Sequence, residues 1–345
     1  MSIALRPRVD AALLDFAAHE IAQLELVDPR LVPVGARLRE AVTGGKRIRA
    51  AFCYWGWRAC GQPDIEAAVR AAASMELVHA AAVVHDDLID ASALRRGLPS
   101  AHVALLDAVG EVPDRVWAAN SLAMLVGDLL MSWAGQLFTT CGLPSAYLAR
   151  ARPLWSVLAR ELIAGECLEI LRTGAAHDPE DSLKIVRYKT AKYTIEHPLH
   201  IGGRLGGASP ALLAAFTAYG VPLGEAFQLR DDLLAVYGDP ERTGKSNLDD
   251  IAGARPTALV ALGLRGAAAD DREELLDLLG RADLTAHDLE RVRKILERSG
   301  ARERVEQLIA QRTRAARAAL ARAPLPAEAA AALHELADAV TDRSL

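Results

Sequence analysis

The sequence predicts an all-α protein, a bundle of long antiparallel helices in a single domain spanning 1–345, and three observations carry that prediction. Half of the residues are hydrophobic (51%) yet aromatics supply only 5%, and alanine is abundant. Closely packed helices favour that composition, whereas sheets enrich β-branched and aromatic residues. Apolar residues recur at three- and four-residue spacing, and the polar breaks between such runs are short, with no low-complexity segment and no linker.

Taken in order, Ala11, Leu14, Phe16, Ile21 and Leu24 give an amphipathic first helix between Pro7 and Pro29. Pro33 opens a second helix that ends at Thr43, Gly44 and Gly45. Lys46, Arg47 and Arg49 follow; on the helix expected there, Lys46 and Arg49 share a face and Arg47 points elsewhere. Gly61, Gln62 and Pro63 separate this third helix from a long one carrying ELVHAAAVVHDDLIDASALRRG (76–97), which Pro99 and Ser100 break. After a loop at Glu111, Pro113 and Asp114, an apolar helix over about 115–140 is expected at the centre of the bundle. Its most apolar part, 116–138, is interrupted by Asn120, Asp128 and Gln136, which favours a buried core helix over a transmembrane span.

Residues 147–171 form the next helix, with GECLEI at 165–170. A polar loop leads to 182–205, which carries RYKTAKYT; Lys192 is expected at the surface, and Gly202, Gly203, Gly206 and Gly207 permit a kink or a close helix approach. The stretch 211–237 ends in FQLRDDLLAVY and is expected to kink or break near Pro222. Helices at about 256–264, 269–279, 286–299, 301–323 and 326–341 complete the chain, their Arg and Glu residues forming solvated faces.

The net charge of −5 and the pI near 6.0 argue against nucleic acid as a partner, because phosphate backbones call for a basic face. Cys53, Cys60, Cys141 and Cys167 sit at no metal-ligand spacing and mostly within apolar stretches, and so read as reduced core thiols of a cytoplasmic protein. The first residues lack an apolar core of signal-peptide length.

Two aspartate groups carry the chemistry. Asp86 and Asp90, four apart on a helix, lie on one face with ~5–6 Å between Cβ atoms, and Asp87 flanks them. Carboxylates that close repel one another, and a hard cation such as Mg²⁺ removes the conflict, being commonly held by one or two carboxylates plus the phosphates of a substrate. Arg95 and Arg96 suit a diphosphate, since guanidinium forks match phosphate oxygens. Asp231 and Asp232 repeat the pattern, and two such sites on separate helices can face each other across a cavity. A solvated acidic helix end is the plain alternative for the first group taken alone, and the second pair shifts the balance toward a metal.

Together, GGKRIR at 44–49, ELVH then HDDLID and RRG, KT at Lys189 and Thr190, and FQLRDD then GDPERTGK resemble, in order, the trans-isoprenyl diphosphate synthase (polyprenyl synthetase) family, geranylgeranyl diphosphate synthases included. The resemblance implies an isoprenoid-synthase-type bundle around a deep central cavity, and Mg²⁺-dependent condensation of isopentenyl diphosphate with an allylic prenyl diphosphate. It assigns Lys46, Arg49, His79 and Arg96 to the diphosphate of isopentenyl diphosphate, and Arg343, placed near the end of the chain, is separately expected to approach it. Asp86, Asp90 and Asp231 become ligands of three Mg²⁺ ions, with Asp87 and Asp232 as further catalytic aspartates. Arg95, Lys189, Thr190 and Lys245 fall at the allylic diphosphate, and Gln228 becomes a substrate contact. A homodimer is also implied.

The chain departs from the family pattern in places. Glu166 stands where Gln is usual, Ala235 replaces the last aspartate of the second motif, Leu248 replaces a glycine, and Ala254 and Arg255 stand where Gly and Lys are expected. Product length should follow the depth of the cavity beside the first aspartate helix, where one turn, ~5.4 Å, is comparable with one isoprene unit. Ala81 and Ala82 lie one turn above Asp86, Val78 two turns, Ser74 and Met75 three. A farnesyl-forming enzyme is expected to carry an aromatic at or near Ala81, so its absence implies geranylgeranyl diphosphate, with farnesyl or a longer polyprenyl diphosphate as alternatives. Two other readings are a class I terpene cyclase, opposed by the lack of a second metal triad after Phe227, and a weakly active partner subunit of a hetero-oligomeric prenyltransferase, suggested by Ala235, Leu248 and Arg255.

Overall fold

The computed structural model describes residues 5–174, 178–239 and 247–341. It is all-α apart from one two-residue hairpin: α1 Leu5–Glu25, α2 Val32–Val42, α3 Ile48–Arg58, α4 Glu66–Ile89, β1 Leu94–Arg95, β2 Leu98–Pro99, α5 Ala101–Ala108, α6 Arg115–Thr139, α7 Ser145–Arg172, α8 Pro179–Ile185, a π-helix Val186–Glu196, α9 His197–Gly206 and α10 Pro210–Tyr237. Further helices are Asp249–Ala252, Ala258–Gly266, Ala269–Leu278, Ala286–Arg298, Ala301–Arg322 and Ala327–Thr341. Several starts are set by side chains that cap the first turn. Asp114 accepts from the Trp117 N–H, Ser209 from Leu212, and Thr285 forms a reciprocal capping box with Asp288.

The chain forms two compact units, Met1–Ala151 with Ile201–Gly207, and Arg152–His200 with Ala208–Leu345. In the first, α4 packs along α6 and also against α3 and α1. Small side chains, Ala71, Ala72, Ala73 and Ala81, are fully buried along α4 and allow that close packing. Helix α6 buries Ala119, Ala123, Val126, Leu130, Ala134 and Leu137 at helical spacing, but its other face leaves Val116, Trp117, Met124 and Leu125 exposed, Trp117 by 67%. The expectation of a fully buried central helix therefore holds for one face of α6 only. Helices α4 and α6 are each long and apolar enough to cross a membrane, with 72% and 44% of their apolar windows buried. The tail of α9 docks on α3 where the glycines allow it: a Cβ at Gly202 would collide with the Cys53 carbonyl, and one at Gly206 with Cys60.

The second unit is organised on α10, which runs unbroken for 28 residues through Pro222 where a break was an option. It packs along the π-helix and Ala301–Arg322, over a core that includes Leu229, Leu233, Val236, Leu259, Val292, Ile295 and Val305. The single helix expected over 182–205 is three segments, and KT lies in wider π-helical turns rather than at a break. Lys192 is also not a surface residue. Its ammonium lies 3.0 Å from Glu161 and 3.4 Å from Glu196, and it is 19% exposed. Cys53 and Cys141 are buried and Cys60 half-buried, as core thiols should be, but Cys167 is exposed on α7.

Candidate active site

Helix α4 delivers the first aspartates. Its last turn holds Asp86 and Asp87, and Asp90 caps it in helical conformation (φ −83°, ψ −3°), so Asp86 and Asp90 stay one turn apart. The helix ends at Ile89, earlier than the expected break at Pro99, because the chain folds back into a hairpin. Arg96 (φ +54°) and Gly97 (φ +77°) make its turn, and positive φ at both central residues is the geometry that suits a tight two-residue hairpin.

The hairpin returns Arg95 to the helix end. Its Nε donates to Asp87 Oδ1 at 2.8 Å and Oδ2 at 3.1 Å, and its Nη2 donates to Asp87 and, at 3.2 Å, to Asp86 Oδ2. Asp87 is thus turned inward, 3% exposed, rather than flanking Asp86 and Asp90 on an open face. Burial works against the Arg95 charge, but the bonds to Asp87 and the nearby Asp86 outweigh it and raise the pKa above the usual guanidinium value.

The glycine loop lies under Arg96, whose Nη1 donates to the Thr43 carbonyl at 3.2 Å. Gly44 (φ +73°) and Gly45 (φ +94°) adopt backbone conformations that L side chains rarely take, and a Cβ on Gly45 would sit 3.3 Å from Arg96 Nη2. Arg47 is left-handed as well (φ +55°) and caps α3. Lys46 therefore precedes the helix, and its expected shared face with Arg49 does not form. Arg47, not assigned a role from sequence, is buried: Nε donates to Asp10 at 2.7 Å, Nη2 to the Val42 carbonyl at 2.6 Å, and Nη1 lies 4.0 Å from Glu76. Glu76 in turn accepts from the Ala50 N–H at 2.9 Å, tying α4 to the start of α3.

Arg49 is buried in the first turn of α3, Lys46 is exposed, and His79 is partly buried on α4. Burial drives the His79 pKa far below the usual imidazole value, and Arg49, Arg96, Arg95 and Arg47 push it the same way. Arg96 is lowered too, by burial and then by Arg47 and Arg95. Arg49, His79 and Arg96 are thus brought together among guanidiniums that repel one another, and an anion relieves that strain. One turn and two turns above Asp86, Ala81 and Val78 are buried and Ala82 is partly so.

In the second unit, Lys189 Nζ lies 2.7 Å from Glu169 Oε1 and 3.0 Å from Glu166 Oε2. Thr190 donates to Gln228 Oε1 at 2.8 Å, and Gln228 Nε2 donates to Asp232 Oδ1 at 2.8 Å. Asp232 is buried and, among the described residues, its other oxygen, Oδ2, accepts no hydrogen bond. Burial lifts its pKa to about 8; the Gln228 bond opposes the rise, while Asp250, Asp231 and Glu169 add to it. Asp231 is partly buried beside it. Lys245 and Arg343 lie outside the described residues. Ala254, where glycine was expected, is left-handed (φ +47°), and Arg255 pairs with Asp250 at 3.0 Å.

Among the described residues no three His, Cys, Asp or Glu gather into a metal cage. Carboxylates in ones and twos suit a hard cation that completes its shell with water and ligand oxygens. Glu169 and Asp250 were missed in the sequence, because only folding brings α7 and the residues after α10 to bear on Asp232. Arg47 was missed because Lys46, Arg47 and Arg49 look alike on paper, and only folding gives Arg47 its left-handed backbone and its bonds to Asp10 and Val42.

Proteins of known type resemble this chain in sequence and fold. The polyprenyl synthetase family profile matches residues 34–296. A geranylfarnesyl diphosphate synthase of Aeropyrum pernix is 32% identical over 315 residues, 90% of this chain and 93% of its own. A (2E,6E)-farnesyl diphosphate synthase of Mycobacterium tuberculosis is 32% identical over 307 residues, 87% of this chain and 80% of its own. The crystal structure of geranylgeranyl pyrophosphate synthase from Corynebacterium glutamicum, complexed with isoprenyl diphosphate and magnesium, superposes with a TM-score of 0.93 at 35% identity, covering 97% of this chain and 98% of that one. Fold and matches define the class, that of the trans-prenyltransferases or isoprenyl diphosphate synthases. The chain belongs to the polyprenyl synthetase family.

Proposed function

We propose that the protein joins an allylic prenyl diphosphate head to tail with isopentenyl diphosphate, and that its main product is geranylgeranyl diphosphate. The observation that carries this reading is the crowding of Arg47, Arg49, Arg95 and Arg96 around His79, a concentration of positive charge that calls for a polyanion. In this reading Lys46, Arg49, His79 and Arg96 hold the diphosphate of the extender. Arg95, Lys189 and Thr190, with Gln228, orient the allylic diphosphate, and Asp87 and Asp232 fix Arg95 and Gln228. Lys245 joins them from outside the described residues.

Asp86, Asp90 and Asp231 would hold three Mg²⁺ ions, whose charge, when bound, stabilises the departing diphosphate. The bond between the allylic C1 and its oxygen breaks, the double bond of isopentenyl diphosphate takes that carbon, and the proton lost from the extender leaves a new allylic product. No side chain is a nucleophile, and released diphosphate is the base.

Product length is supported by α4, which has no Phe, Tyr or Trp from Glu66 to Ile89. Going up from Asp86, Ala82, Ala81 and Val78 are small or medium, and Met75, a turn beyond Val78, is fully buried. We read the enzyme as cytoplasmic and homodimeric, one domain in function, with the exposed apolar face of α6 supporting a second copy. The partner-subunit reading draws on Ala235 and on the high pKa of Asp232, which both weaken the second aspartate site for a cation.

Purified protein incubated with Mg²⁺, labelled isopentenyl diphosphate and separate five-, ten- and fifteen-carbon allylic primers distinguishes these readings by product length. Twenty-carbon product is expected. No incorporation would favour the partner subunit, and cyclic hydrocarbon made without extender would favour a cyclase. Ala81→Phe is expected to shorten the product to farnesyl length; an unchanged product removes α4 as the ruler.

A further inference from the structure

Lys189 is the meeting point of two carboxylates from one helix. Glu166 and Glu169 lie one turn apart on α7, so both face the π-helix, and their oxygens stand 3.0 and 2.7 Å from the Lys189 ammonium. The three side chains are half-buried, between 16% and 20% exposed. The two backbones touch at the same level: a Cβ on Gly165 would collide with the backbone of Lys189. This close approach sets Lys189 level with Glu166 and Glu169. Glu169 also acts on Asp232, so one ammonium serves a strongly acidic neighbourhood.

We propose that Glu166 sets the affinity for the allylic diphosphate by competing with it for the Lys189 ammonium. This role deepens the function above and holds only if Lys189 serves that diphosphate. A diphosphate oxygen that takes a place on the ammonium displaces at least part of the Glu166 contact, and the carboxylate repels the incoming anion as well. Glutamine, the residue usual at this position in the resemblance, keeps the length and an acceptor oxygen without the charge. Glu166 is a positioning residue that acts through Lys189, and it weakens primer binding relative to a glutamine.

The test is Glu166→Gln, with Glu161→Gln as a charge-matched control on the same helix, where the partners are Lys192 and His197. With isopentenyl diphosphate saturating, the allylic KM of Glu166→Gln should fall about two- to fivefold, the range expected for a partly solvated ion pair. The KM for isopentenyl diphosphate should not move. Calorimetry with a non-reacting thiodiphosphate analogue of the primer, in Mg²⁺, should tighten by the same factor, and Glu161→Gln should match wild type in both measurements. An allylic KM unchanged or raised in Glu166→Gln, or equal tightening in the control, overturns the proposal. A wild-type protein that binds the analogue but makes no product would instead count against the prenyl-transfer reading, with the binding comparison still deciding the role of Glu166.

Discussion

The two aspartate sites resolve the same electrostatic conflict in different ways. At the end of α4, Arg95 lies across Asp87 and Asp86, so the acidic group is neutralised by a fixed guanidinium. At α10, Asp232 is met by an amide, Gln228, and burial, with acidic Asp250, Asp231 and Glu169 adding to it, makes the carboxyl keep its proton to about pH 8. One site carries a fixed cationic partner, and the other must lose a proton before Asp232 is charged. Under the proposed function, the contrast gives α4 a standing capacity for a cation and α10 a conditional one, in keeping with Ala235 where a third aspartate would stand.

The sharpest way to break this contrast is to remove one carboxylate from each side. Asp86→Asn should lower kcat by about 10²–10³-fold, the scale of losing one group that stabilises transition-state charge, and Asp231→Asn by only about tenfold. Equal losses in steady-state assays would abolish the proposed asymmetry. Next in size, Arg95→Gln strands the buried Asp87 carboxylate. In metal-free protein this should lower the unfolding free energy by about 2 kcal/mol in urea titrations, less than for a fully buried pair because Arg95 is partly solvated. No change would mean that the α4 aspartates do not need their arginine.

The smallest effect concerns protons. Unfolded, Asp232 titrates near 3.8, and folded it holds its proton to about pH 8, so between those values the folded protein binds one more proton than the unfolded chain. The stability that this group contributes is complete below pH 3.8 and is lost as pH rises toward 8. In metal-free protein, the thermal midpoint of wild type should therefore fall relative to Asp232→Asn as pH is raised from 5 to 8. Parallel curves would place a charged carboxylate at α10 and erase the difference between the sites.

Helix positions and motif order were legible in the sequence because each rests on local spacing. The boundaries of α2, α6 and α7 follow from proline, capping aspartate and polar loops, and the pairing of Asp86 with Asp90 follows from helical periodicity. What was hidden depends on backbone states or on partners far along the chain. Nothing local marks Arg47 and Arg96, neither of them glycine, for left-handed conformations, yet these take Lys46 off its helix and turn 94–99 into a hairpin. Lys192 looks like a surface lysine until folding brings Glu161 to it. The π-helical turns around Lys189 and Thr190 likewise leave no trace in apolar spacing alone.

The glycine at 202 gives α3 a remote point of control. The tail of α9 sits so near the Cys53 carbonyl that one added methyl group must prise the two rods apart, and α3 carries Arg49 at its other end. Bulk introduced there would act like a wedge under a lever, displacing the Arg49 guanidinium although the substituted residue itself lies elsewhere on the helix pair. If Arg49 holds the extender as proposed, damage at such a spot would show as weakened capture of the five-carbon building block, and a survey confined to residues near the chemistry would overlook it.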